Sequence, residues 1–87
     1  FKNYPNPFNP QTTIPYSLDG TALTQLVIVD ALGREVIELV NNEQNSGQYA
    51  ITWNGLDTQG LSVESGLYFC HLRSGRHTSM QKLLLLK

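Results

Sequence analysis

Ile14, Tyr16 and Leu18 occupy alternate positions of the segment Thr12–Leu18, with Thr13, Pro15 and Ser17 between them. A period of two sends one set of side chains to each face of an extended chain, so this segment predicts a strand with one buried face. Pro15 has no N–H to give to a ladder, which assigns that strand to a sheet edge or a bulge. Asp19-Gly20 is a turn signal. Leu23 to Asp30 then sets Leu26 and Ile28 on one face and Val27 and Val29 on the other. A strand apolar on both faces belongs in the middle of a sheet. Ala31-Leu32-Gly33-Arg34 predicts a tight turn, with Gly33 free to supply a positive φ, and Glu35 to Val40 returns as the hairpin partner. Leu32 to Val40 also carries helix-like spacing, but it is short and β-branched, and the strand is preferred.

The polar run Asn41–Gly47 predicts a loop. Gln48 to Trp53 alternates most cleanly, with Tyr49, Ile51 and Trp53 inward and Gln48, Ala50 and Thr52 outward. Asn54 to Ser65 reads as loop with a short strand at Ser62-Val63. Gly66 to Arg73 is a further strand closed by Ser74-Gly75, and the last runs from His77 to Lys87. Its four leucines, Leu83 to Leu86, put one pair on the core face and the other pair on the opposite face. About seven strands, separated by turn signals at intervals of roughly 8–12 residues, predict an all-β sandwich of the immunoglobulin-like kind. Three of the four prolines fall in residues 1–10. That stretch predicts an ordered extended or turning lead-in, with Tyr4 and Phe8 capping one end of the core and the sandwich occupying 11–87.

Composition narrows the function. The chain has 87 residues, enough for one domain, with 40% hydrophobic and 15% charged residues and a net charge of -1. Such a balance excludes the disordered class and gives no electrostatic footprint for nucleic acid. The start, Phe1-Lys2-Asn3-Tyr4, lacks a charged segment followed by an apolar run, so no signal peptide is expected there. The chain is expected to be the C-terminal piece of a longer exported protein. Cys70 is the one cysteine, so no disulfide framework or cysteine metal cluster is expected.

Asn3-Tyr4-Pro5-Asn6-Pro7-Phe8-Asn9-Pro10 followed by Thr12-Thr13-Ile14 resembles the opening of the type A C-terminal sorting domains of the type IX secretion system. The resemblance continues through Ile28-Val29-Asp30, Gly33-Arg34-Glu35-Val36, Trp53-Asn54-Gly55 with Asp57 and Gly60, and Ser65-Gly66-Leu67-Tyr68. It ends at Gly75 and Lys82 to Lys87. The immunoglobulin-like domain of flagellar hook-capping proteins is similar in a looser way. Cys70 and His71 depart from the residues usual in the sorting family. The resemblance implies a folded, non-catalytic sorting signal that carries a cargo through periplasm and outer membrane to the cell surface or beyond. The implied partners are the outer-membrane secretion machinery and a sortase-type surface protease. An accessory carbohydrate-binding module and an assembly module of the hook-cap kind are the alternatives.

Other chemistry is weakly supported. Neither Ser65-Gly66 nor Ser74-Gly75 forms a Gly-x-Ser-x-Gly elbow, and no enzyme is expected. Asp57-Thr58-Gln59-Gly60 offers one carboxylate where calcium takes six to eight oxygens, so a turn closed by Asp57 is preferred. His71 and His77 lack partners at zinc-ligand spacing; no metal and no cofactor is expected. Trp53 is read as a core ring. Gly66, Tyr68, Gly75, Lys82 and Lys87 are the residues expected nearest recognition. The last strand is either fully paired in the core or a docking strand, for the machinery or for a second copy through its edge.

Overall fold

The computed structural model describes residues 2–5 and 11–87. Six strands run in chain order: β1 Thr12–Leu18, β2 Ala22–Asp30, β3 Glu35–Gln44, β4 Gly47–Trp53, β5 Gly66–Ser74 and β6 His77–Leu85. They form two antiparallel sheets, a two-stranded one of β1 and β4 and a four-stranded one in the order β3-β2-β5-β6. The alternation read from the sequence decides which faces meet. Ile14 and Tyr16 of β1 and Trp53 of β4 pack against Leu26, Ile28, Cys70, Leu72, Leu83 and Leu85 of the larger sheet. Trp53, Ile14, Leu26, Ile28, Cys70 and Leu83 are wholly buried.

Strand position follows composition. β2, apolar on both faces, lies between β3 and β5, and β1, which carries Pro15, pairs only with β4. The β2–β3 turn is closed by Asp30, whose Oδ1 accepts the amides of Leu32 and Arg34, both at 2.9 Å. Asp57 repeats this arrangement, its Oδ1 accepting the amides of Gln59 and Leu61 at 2.9 Å. In both turns the glycine three residues on donates its amide to the aspartate carbonyl at 3.0 Å.

Several expectations are corrected. Ser62-Val63 forms no strand; Ser62 makes an isolated bridge to Leu56, and Val63 packs at the core margin, so there are six strands rather than seven. The Asp57 turn consumes the residues that a longer ladder would need. Asn41–Gln44 is not loop but the continuation of β3, because its backbone pairs with Ala22–Gln25 of β2 whatever its side chains are. Tyr4 does not cap the core: it is 58% exposed, and its backbone bridges Thr13 instead. Phe8 lies outside the described residues. β6 ends at Leu85 rather than at Lys87, and of the four leucines Leu83 and Leu85 face the core.

Two measurements check these assignments. Leu83→Ala leaves a core cavity and is expected to cost ~2–5 kcal/mol, whereas Leu86→Ala, at a half-exposed position, should cost under about 1 kcal/mol. Urea unfolding followed by the fluorescence of Trp53, the single tryptophan, reads both. At Asp30, hydrogen bonding by the Arg34 amide, outweighing the opposing desolvation and reinforced by the Arg34 side chain and the Leu32 amide, holds the carboxyl below its usual 3.8. A folded-state pKa below the unfolded one gives stability that is present above the unfolded value and is lost as pH falls through the folded value. Carboxyl NMR titration should therefore give Asp30 a midpoint under 3.8. Arg34→Ala should restore only part of the difference, because the amide bonds remain.

Candidate recognition surface

β5 begins at Gly66 (φ +154°) and ends in the two-residue turn Gly75-Arg76. Gly75 has φ +60° and Arg76 does not have a positive φ, the combination of a type II′ hairpin turn, whose twist matches that of the strands. A side chain at Gly75 would also meet Ala22 Cβ at 3.4 Å. The register between β5 and β6 runs unbroken from Gly66↔Leu85 to Ser74↔His77, whereas the β2–β3 register shifts twice.

The residues expected nearest recognition separate along this hairpin. Gly66 and Lys87 lie at one end and Gly75 at the other, about 30 Å away for a nine-residue strand. At the first end the Lys87 amide donates to Ser65 Oγ at 2.9 Å. Lys82 is exposed on the outer face of the sheet, opposite Phe69. Tyr68 faces inward and is buried, meeting the Trp53 ring edge-to-face at 5.3 Å and donating its hydroxyl to the Glu64 carbonyl. Desolvation, with Glu64 adding to it, raises the Tyr68 phenol. Tyr68 therefore contributes through the fold, by closing the two sheets on each other.

The residues ahead of β1 are tied to β6. Asn3, buried, donates Nδ2 to Thr12 Oγ1 at 2.9 Å and to the Pro5 carbonyl at 3.2 Å, and Gln81 Nε2 donates to Asn3 Oδ1 at 3.5 Å. Thr12 Oγ1 in turn donates to the Pro5 carbonyl at 2.9 Å. β6 is an edge strand, and Asn3 lies beside its second half. Burial changes along the strand accordingly: His77 to Met80 are exposed on both faces, while Leu83 and Leu85 are sealed in the core.

Among the described residues no three His, Cys, Asp or Glu side chains come together as metal ligands. The Asp57 carboxylate is spent on its turn. Glu35 and Glu38 are exposed, Glu38 accepting from Gln25 and Asn41. Among the described residues, Tyr16 and Trp53 are buried, Tyr49 stacks on Tyr16 at 5.2 Å, and Tyr4 presents an exposed ring. Arg76 and His77 stand at the opening of the last strand, as the sequence indicates, and Arg73, which is not among the residues expected nearest recognition, is exposed beside them next to the exposed His71. The signal that could have found Arg73 is the absence of any carboxylate after Glu64.

The family model for the secretion system C-terminal sorting domain matches residues 2–86. The chain belongs to that family. Among solved structures, the sorting domain is similar to FlgD from P. aeruginosa, with TM-score 0.67 and 19% identity over 85% of this chain and 59% of that one. It is also similar to PorZ, a surface component of the type IX secretion system of Porphyromonas gingivalis, with TM-score 0.69 and 19% identity over 98% of this chain and 11% of that one. These likenesses support the immunoglobulin-like sandwich. The sorting domain spans only part of either protein's length. No curated protein sequence matches the chain.

Burial governs the chemistry of Cys70, which faces the core between Ile28 and Gln81 on its flanking strands. Desolvation pushes its thiol from 9.0 up to about 12. The thiolate is the reactive form, so at pH 8 an aromatic disulfide reagent should label Cys70 about a thousandfold more slowly in the folded sorting domain than in denaturant.

Proposed function

We propose that this chain is a non-catalytic address tag that directs a cargo joined to its N-terminal side through the type IX secretion system to the cell surface. The observation that carries the proposal is the family match over residues 2–86. A folded sandwich with a surface strand whose first half is exposed supports this reading. In this reading residues 1–87 act as one unit, with 1–10 as lead-in and 11–87 as sandwich. The cargo passes through the periplasm, the outer-membrane machinery contacts the folded domain, and a sortase-type surface protease acts at the lead-in side once the cargo has crossed. Of the five residues expected nearest recognition, Lys82 and Lys87 present exposed charges, Gly66 and Gly75 shape the ends of the hairpin, and Tyr68 holds the sheets together.

Fusing the chain to the C-terminus of an exported reporter, in a host that has a type IX system, tests this. The reporter is expected on intact cells, accessible to antibody. Leu83→Asp puts a charge into the core and should abolish delivery together with folding. Lys82→Ala combined with Lys87→Ala changes only exposed side chains, and should leave the circular dichroism intact while lowering delivery by roughly tenfold, as loss of two exposed charge contacts allows. A reporter retained inside cells that secrete their own type IX cargo would sink the proposal.

A further inference from the structure

The net charge of -1 conceals a strong segregation of charge. Residues 66–87 hold four of the six cations, Arg73, Arg76, Lys82 and Lys87, both histidines, and none of the seven carboxylates. Residues 1–65 hold all seven carboxylates against Lys2 and Arg34, and Arg34 is paired with Asp30 at 2.8 Å. The strand order turns this sequence polarity into a spatial one. β3, with exposed Glu35, Glu38 and Glu43, is one edge of the four-stranded sheet, and β6 is the other. Three inter-strand spacings put these edges about 14 Å apart, beyond the ~8 Å screening length of physiological salt. A partner arriving at the hairpin therefore meets a cationic pole, the cations of β5 and its turn, with Asp19 across the adjoining cleft as a carboxylate close to them.

The same pole has an exposed strand edge. Ser74 and His77 flank the two-residue turn and pair with each other, so the backbone groups of Thr78 and Met80 alternate away from β5. His77 to Met80 form the part of β6 that is covered on neither face. No proline or register shift interrupts it, whereas β1 carries Pro15 and the β2–β3 ladder is bulged. Beside it lies an open cleft of about 650 Å³, bounded on one side by Ser17 to Ala22 and on the other by the β5–β6 hairpin, with Leu18 and Leu72 supplying apolar walls and Asp19 and Arg76 a charge of each sign. A strand added at this edge would send alternate side chains into the cleft and the others onto the outer face beside Arg73 and His71.

We infer that the His77–Met80 edge is a docking site for an extended, acidic segment of a partner protein, which adds as a fifth strand, seats an apolar side chain in the cleft and sets carboxylates against Arg73 and Arg76. Backbone pairing supplies affinity, the cleft supplies side-chain selection and the cationic pole selects for acidic strands and speeds their encounter. This deepens the sorting proposal, on which it rests only for the partner's belonging to the secretion machinery. The device that ordinarily protects an edge strand, a charge aimed at the approaching chain, serves here to choose which chain approaches.

The test uses the 87-residue chain and a blocked peptide, Glu-Val-Glu-Val-Glu-Val, titrated at low salt with amide NMR as readout. Shifts are expected at Thr78, Met80, Arg73 and Arg76. Affinity should be at least about tenfold above that for Lys-Val-Lys-Val-Lys-Val, and a similar factor should be lost in the folded double variant Arg73→Glu, Arg76→Glu. A version of the acidic peptide N-methylated at alternate residues keeps its charge but cannot pair, and should bind at least about tenfold more weakly. Equal binding of the methylated peptide, equal binding of the lysine peptide, or shifts centred on β3 would each overturn the inference. So would self-association of the chain alone that the double variant abolishes, which would assign the edge to a second copy. Tighter binding of anionic vesicles than of any peptide would overturn it in favour of a lipid surface. In the reporter fusion, full delivery of the double variant would remove this edge from sorting while leaving the address-tag proposal standing. Failure of the unaltered fusion would remove that proposal and leave the peptide result untouched.

Discussion

A two-stranded sheet is at best marginally stable alone in water, yet β1 and β4 persist as one because Ile14, Tyr16 and Trp53 are buried against the four-stranded sheet. Everything else in the molecule depends on that contact. Burying an indole ring of roughly 200 Å² stabilises by about 5 kcal/mol as an upper figure, against a total of about 4–13 kcal/mol for a domain of this length. The aromatic contact also has direction. Trp53 meets Tyr68 edge-on, the indole N–H donates to the Leu56 carbonyl at 3.0 Å, and the Tyr68 hydroxyl donates to the Glu64 carbonyl. Two rings therefore hold the two sheets together and, through their polar ends, anchor both ends of the segment between β4 and β5. That segment has almost no ladder of its own, and the ring contacts explain how it is held with one isolated bridge.

The polar accounting explains why Asn3 packs where it does. Asn3 and Thr12 are buried at the start of β1, where apolar residues would leave the Pro5 carbonyl without a donor. Thr24 and Ser74 do the same near the opposite end of β5, their hydroxyls 2.9 Å apart. Among the described residues no buried side-chain nitrogen or oxygen lacks a partner. An unpaired buried polar group costs ~1–3 kcal/mol, a large share of the margin available to so small a domain. The Gln81 amide, by reaching Asn3, couples the lead-in to β6 across the length of the chain.

Most of the architecture was legible because the apolar alternation is nearly unbroken where one face is buried. Ile14/Tyr16, Leu26/Ile28 and Tyr49/Ile51/Trp53 all fall on the faces that a period of two assigns them. Alternation failed where the pairing is carried by backbone alone: Asn41 to Gln44 look like loop and are strand, because β2 supplies donors and acceptors to any residue in register. It failed again at Ser62-Val63, where the pairing stops at the Leu56–Ser62 bridge and the Val63 amide's bond to the Gly55 carbonyl. The Asp-x-x-Gly turns were half legible. The turn at Asp57 was anticipated from its residues, and the same grammar at Asp30 to Gly33 was seen only as a glycine turn, although both carboxylates accept the same two amides. Aromatic character alone does not place Tyr4 in the core, because its backbone, not its ring, makes the contact.

The division of β6 into a sealed half and a bare half links stability to recognition. Leu83 and Leu85 fix the register of the whole hairpin, since a one-residue slip would turn both out of the core. The bare half inherits that register without contributing apolar burial of its own, and so can carry His77, Thr78, Ser79 and an exposed Met80 at little cost to folding. A docking strand built the other way, with its apolar residues at the contact surface, would be an aggregation hazard in a domain that must remain a separate folded body. Selection by cationic side chains around a polar edge avoids this, because such an edge is attractive to an acidic chain and indifferent or repulsive to most others. The fold thus separates the residues that hold the ribbon from those that present it.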